Sequence, residues 1–202
     1  MSALDLRDIA PGFAEPVAEA QRAFRGCLEA LACPGTLVEV GAGLESMPGV
    51  HPAAAALLLA LLDQDTRLWL SPAFAPAVTA SLRFHTGCTL ATEARAADFV
   101  LAASPADMLP LEALEQGTDE QPYRSASVVV QVAAFAGPAW LLDGPGIRDE
   151  QSLPAPDLGV DFLRQWERNR ARFPRGIDLF LTCGERLCGL PRGTRIRAAQ
   201  AS

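Results

Sequence analysis

Apolar residues recur along this chain with more than one rhythm, and each rhythm predicts an element. Between Pro16 and Leu31, the positions Val17, Ala20, Phe24, Leu28 and Leu31 return at three- and four-residue steps. That spacing predicts an amphipathic helix, with Pro16 suited to its first turn. Cys33-Pro34-Gly35 breaks the pattern and Thr36 to Val40 reads as a short strand, followed by loop from Gly41 to Val50. Pro52 to Leu62 is alanine and leucine nearly all round, which predicts a helix buried on most sides, closed by Asp63-Gln64-Asp65. Thr66 to Leu70 follows as a strand, and Ser71-Pro72 reads as the N-cap and first turn of a helix running to about Phe84. Strands near Thr89–Ala91 and Phe99–Ala102 and a short helix over Ala106–Glu115, ended by Gly117, come next.

The valine-dense Ser127–Ala134 and Trp140–Leu142 flank Gly137-Pro138, which predicts a hairpin. Asp161 to Phe173 reads as the last helix. A second hairpin closes the chain: Ile177–Thr182, the Gly184-Glu185 turn, then Leu187–Leu190 before Pro191 ends the ladder. Helices interspersed with short strands predict an α/β protein with a single mixed-sheet domain, residues 16–202, after a poorly ordered segment 1–15 that could dock on a partner.

Composition narrows the function. The 202 residues carry a formal charge of −7 and are half apolar, so the clustered positive charge of a nucleic-acid footprint is not expected. No leader pattern is visible, and the longest apolar run, Ala53 to Leu62, is too short to span a bilayer, so a cytoplasmic protein without a membrane partner is expected. Five cysteines without a CxxC pair fit neither a disulfide framework nor a zinc site, and two histidines offer no metal-binding helical pair. All seventeen basic residues are arginine. Without lysine there is no Schiff-base chemistry and no P-loop of the Gly-Lys-Ser/Thr kind.

Two polar clusters remain as candidates. Arg175, Asp178, Glu185, Arg186 and Arg192 border the apolar terminal hairpin, and such residues bind anions, fix a partner in register, or form a solvated rim. Ser81-Leu82-Arg83-Phe84-His85-Thr86-Gly87 lies at a helix exit, where Arg83 and His85 either complement the negative end of the helix or form an anion site, Arg83 as clamp and His85 as donor or proton shuttle. Asp63 and Asp65 read as a polar turn more readily than as an acid–base pair. Gly144-Pro145-Gly146-Ile147 resembles a phosphate loop only superficially, since Pro145 lacks an amide donor.

The order of motifs resembles the PhnH family, a subunit of the bacterial carbon-phosphorus lyase machinery. The resemblance runs through Phe24-Arg25, Pro34-Gly35, Leu62 to Thr66 with Trp69-Leu70, Ser81 to Thr86, Gly117-Thr118, Gln131-Val132, Gly146-Ile147 and the block Phe173 to Arg192. It implies a fold like that of pyridoxal-phosphate-dependent transferases without the cofactor. It also implies a homodimer in isolation and a core complex with PhnG, PhnI and PhnJ. With PhnG, PhnI and PhnL, the family supports displacement of adenine from ATP by a phosphonate, giving a ribose 1-phosphonate 5-triphosphate; the displacement is usually placed on PhnI, and later bond cleavage on PhnJ. The resemblance carries over no catalytic residue, metal or cofactor. Two roles stay open, a non-catalytic structural subunit and a contributor of an ATP or phosphonate site; outside the resemblance, the alternative is an unrelated small-molecule enzyme of mixed α/β fold.

Overall fold

A computed structural model describes residues 9–45, 47–159 and 161–199. Among the described residues, four α-helices, α1 (Pro16–Ala32), α2 (Pro52–Leu61), α3 (Pro76–Thr86) and α4 (Phe162–Arg170), are combined with ten strands. Seven of these, β1 (Val38–Glu39), β2 (Arg67–Leu70), β3 (Thr89–Leu90), β4 (Phe99–Ala102), β5 (Ser127–Gln131), β8 (Asp178–Cys183) and β9 (Arg186–Leu190), form one mixed sheet. Its order is β1-β9-β8-β5-β4-β2-β3. From β3 to β8 all neighbours are parallel, and β9 and β1 add antiparallel pairs at one side. The remaining strands, β6 (Ala139–Asp143), β7 (Gln151–Pro154) and β10 (Arg195–Ala198), make a separate antiparallel sheet in the order β10-β6-β7.

Alternation along the central strands explains the layers. Leu68, Leu101, Val129, Phe180 and Leu187 pack on one face with α1, α2 and α3. Val100, Val128, Val130, Leu179 and Leu181 pack on the other, against Trp140, Leu142 and Leu153 of the small sheet and Phe162 and Trp166 of α4. Side chains of period two can serve both faces only because both are covered, which is why these strands read as unbroken apolar runs. Trp140, Phe162 and Trp166 stack in sequence at 5.4 and 5.9 Å between centroids, and the Trp166 indole donates to the Thr194 carbonyl at 2.8 Å.

The terminal hairpin, the buried α2 and the short strands lie where the pattern predicts. Three expectations are corrected. Ser127–Ala134 and Trp140–Leu142 do not form a hairpin: β5 lies between β4 and β8 in the large sheet, while β6 leaves it for the small one. Gly137-Pro138 thus connects two sheets; with both faces of β5 covered, its valines are fully used by the central sheet. Ser71-Pro72 does not start α3, which begins at Pro76. Ser71 is instead buried, its amide donating to Leu101 and its hydroxyl accepting from the Ala103 amide. Ala106–Glu115 is not one helix but two single 3-10 turns, Pro105–Asp107 and Leu111–Ala113, separated at Pro110. A fourth difference concerns orientation. Helix α1 has the predicted span, but it buries Ala23, Gly26, Cys27 and Ala30, whereas Val17, Phe24 and Leu28 face outward.

Entry into β8 depends on one buried amide side chain. Asn169 of α4 donates from Nδ2 to the Ile177 carbonyl at 2.9 Å and accepts the Ile177 amide on Oδ1 at 2.7 Å. Both Ile177 groups would be stranded in the core without it. Asn169→Leu is therefore expected to destabilise the fold by about 2–4 kcal/mol, since each buried orphan costs about 1–3. Urea denaturation at unchanged m-value measures it.

Candidate functional site

The hairpin places its five charged candidates at two ends, because β8 and β9 pair from Cys183 opposite Arg186 to Leu179 opposite Leu190. Asp178 and Arg192 lie at the open end. The Arg192 guanidinium donates from Nε to Asp178 Oδ1 at 3.0 Å and from Nη2 to Oδ2, and the Arg192 amide also reaches Oδ1 at 2.8 Å. Its other donors go to the carbonyls of Pro122 and Pro174 at 2.9 and 3.3 Å and to Ser125 Oγ at 2.6 Å. A fork so fully occupied is a clasp between hairpin and neighbouring loops, not an open anion site. Arg175, nearby on the surface, pairs with Asp119 at 3.1 Å.

At the turn, the backbone rather than the charge is engaged. The Glu185 carbonyl accepts the Val40 amide at 2.8 Å and the Gly184 carbonyl accepts Ala53 at 3.0 Å, so the turn is joined to β1's end and to the first turn of α2. The Glu185 side chain is exposed and makes no hydrogen bond or ion pair among the described residues. Arg186 lies 5.8 Å over the Phe135 ring.

Arg83 and His85 do not converge on a common pocket. His85 Nε2 donates to the Ala10 carbonyl at 2.8 Å, and its ring lies edge-on to Phe84 at 5.1 Å. The Ala10 amide in turn donates to Ser81 Oγ at 2.9 Å. A Cβ at Gly12 would meet His85 Nδ1 at 2.9 Å, so the incoming chain lies flat on the imidazole. His85 thus fastens residues 10–12 to the end of α3. Arg83 is exposed on the same turn, without a partner among the described residues.

A further polar group, which no local sequence motif marks, lies at the carboxyl ends of the parallel strands, the edge where open α/β sheets hold ligands. His51, preceding α2, donates from Nδ1 to the Thr182 carbonyl at 3.0 Å. A carbonyl only accepts, so the proton of this bond is on Nδ1. The His51 amide donates to Gln131 Oε1, and Gln131 Nε2 donates to the Gly49 carbonyl at 2.9 Å. The available signal was Gln131, a buried amide ending a valine strand. Beyond it, a cavity of about 510 Å³ lies among Ser104, Pro105, Ala133, Ala136, Asp157 and Leu158. Among the described residues, Asp157 is its one ionisable lining residue, a carboxylate that does not attract an anionic substrate. Among the described residues, no three His, Cys, Asp or Glu side chains are grouped to hold a metal ion. Asp63 forms a closed turn with Thr66 and Asp65 through bonds of 2.7–3.0 Å.

The chain is a three-layer α/β protein in which Arg192 and His85 are engaged by its own groups. Residues 11–197 match the family described as bacterial phosphonate metabolism protein (PhnH), and the chain belongs to that family. It is 36% identical over 186 residues to the alpha-D-ribose 1-methylphosphonate 5-triphosphate synthase subunit PhnH of Rhizobium meliloti, covering 91% of this chain and 93% of that one. It is also 36% identical over 179 residues, 87% of this chain and 85% of the other, to HtxG of Stutzerimonas stutzeri, provisionally named a C-P lyase subunit protein.

Two outcomes test this account of the side chains. Arg192→Ala should cost about 2–4 kcal/mol by thermal or urea unfolding, because it removes the counter-charge of Asp178, which keeps only the backbone amide, and leaves two carbonyls without their donor in a mostly buried setting. Burial pushes the thiols of Cys27 and Cys188 up to about 12, so neither is a thiolate near neutral pH. An aromatic disulfide reagent at pH 8 should therefore modify Cys33 and Cys183 in the native protein, and all five thiols only after denaturation.

Proposed function

We propose that this chain serves phosphonate catabolism as a non-catalytic structural subunit of the carbon-phosphorus lyase system, in the step that forms a ribose 1-phosphonate 5-triphosphate from ATP and a phosphonate. Its partners in this reading are PhnG, PhnI and PhnJ in a core complex and PhnL functionally, in the cytoplasm, and it is a homodimer when alone. The observation that carries the structural role is where the polar heads go: Arg192, Asp178 and His85 are engaged by the chain's own groups. The relatives' names, each that of a subunit, support the system. Among the described residues, no helix is long and apolar enough to cross a membrane. A likeness to the pyridoxal-phosphate-dependent transferase fold belongs to the same reading, supported by the mostly parallel seven-stranded sheet. With no lysine in the sequence, that cofactor has no Schiff-base partner here.

Exposed Arg83 favours anchoring of a partner over substrate binding. The test compares this chain with its reconstituted complex, using ATP and methylphosphonate. Adenine release is expected only when PhnG, PhnI and PhnL are present, and light scattering should give a dimer for the chain alone. Arg83→Ala should lower recovery of the partner subunits several-fold. Full assembly with lost adenine release would instead assign Arg83 to the substrate, and adenine release by the chain alone would overturn the non-catalytic role.

A further inference from the structure

Helix α1 carries its large apolar side chains away from its own core. Val17, Phe24 and Leu28 are 87%, 49% and 58% exposed. With Gln21 and the half-buried Leu31 they form the series 17, 21, 24, 28, 31. Alternating steps of four and three are the 3.5-residue repeat of a coiled-coil seam, with Gln21 as a single polar position of the kind that fixes register. At about 100° per residue, this seam lies about 130° around the helix from the stripe buried on the sheet, and it runs for about 21 Å. Its far end opens into a groove of about 580 Å³, where Leu31 and Ala32 meet Tyr123, Pro145, Phe173 and Pro174. The rings of Tyr123 and Phe173 there are 73% and 68% exposed.

We infer that this face docks an amphipathic helix of a partner protein, with an apolar seam matching residues 17–31, a bulky apolar side chain seated in the groove, and acidic residues along the edge beside Arg25. The sustained 3.5-residue period is what a helical partner requires and a strand or loop would not use. The acidic edge follows from Arg25, which borders the seam next to Phe24 and has no ion pair among the described residues. A second copy of this chain does not supply it. Paired antiparallel about the seam's midpoint at Phe24, two copies would bring Arg25 against Arg25; paired parallel, Arg25 would face Ala20 and the buried Cys27. The homodimer proposed above therefore uses another surface. An anionic bilayer is disfavoured too, because Glu19 and Glu29 lie on the helix, Glu15 just before it, and the chain is acidic overall.

The inference rests on the complex-subunit reading, and the experiment separates the two. The tagged chain is co-expressed with PhnG, PhnI and PhnJ, and recovery of the untagged subunits is measured beside melting temperature and light scattering of the chain alone. Phe24→Glu, Leu28→Glu and Arg25→Glu are compared with Arg164→Glu, a charge reversal on the solvent face of α4. The α1 substitutions should each lower recovery about tenfold or more, because buried apolar anchors and their flanking charge dominate such interfaces. Melting temperature should stay within a degree or two of the parent, and Arg164→Glu should recover normally. Unchanged recovery for Phe24→Glu and Leu28→Glu would overturn the docking site and leave the subunit reading standing. Unchanged recovery for Arg25→Glu alone would overturn the acidic edge. A parent dimer made monomeric by the α1 substitutions, with partner recovery intact, would assign the face to a second copy. Failure of the parent chain to recover any partner would sink the subunit reading, and this inference with it.

Discussion

The close approach of α1 to β9 sets the shape of one side of the molecule. A Cβ on Gly189 would lie 2.6 Å from the Ala30 backbone, and one on Gly26 would lie 2.6 Å from a Val40 methyl. The helix can press this near only with a face of Ala23, Gly26, Cys27 and Ala30. Large side chains in those places would hold it off the sheet and open the core. Once the small stripe is turned inward, Phe24 and Leu28 have nowhere to go but out. The exposed seam and the tight contact are thus two results of one choice of residues.

That choice also shows where sequence pattern loses its grip. Periodicity located α1 to within a residue, because apolar spacing fixes a helix whichever side is buried. It could not tell which of two apolar stripes meets the core. The larger stripe has the greater hydrophobicity, and ordinary burial would turn it inward; close packing of small residues overrode that preference. Similar ambiguity lies behind the rejected hairpin. Two β-rich stretches joined through Gly137-Pro138 have the local signature of a turn, yet β5 is needed at the centre of a parallel sheet. Its neighbours, β4 and β8, come from distant segments that local pattern does not link. The terminal hairpin was legible because turn and pairing there are adjacent in the chain.

Polar candidates were visible by type but not by destination. Arg192 and Asp178 stood out as charges beside an apolar hairpin, and the structure joins them to Pro122, Pro174 and Ser125, all separated in sequence. His85 read as a possible shuttle and holds residues 10–12 instead. His51 carries no local signal, because its neighbours in sequence, Val50 and Pro52 to Leu62, are apolar. Its partners, Gln131 and Thr182, arrive from β5 and β8. A valine strand that ends in glutamine was the one hint that something there needed an amide.

These placements divide the molecule by task. Around β8 and β9, the hydrogen-bonding capacity of Arg192 and Asn169 is spent on the fold's own backbone and carboxylate, which makes the hairpin a rigid reference for its surroundings. The Gly184 and Glu185 carbonyls extend that reference to α2 and β1. Helix α1 lies on the same framework through Gly189, so its outward face is held in a fixed position rather than on a loose arm. A preorganised apolar ridge orders little further chain on binding, and that lowers the cost of assembly. A family whose members are named as subunits is well served by such a surface, and Arg25 at its border adds selectivity for a partner that carries a matching acidic group.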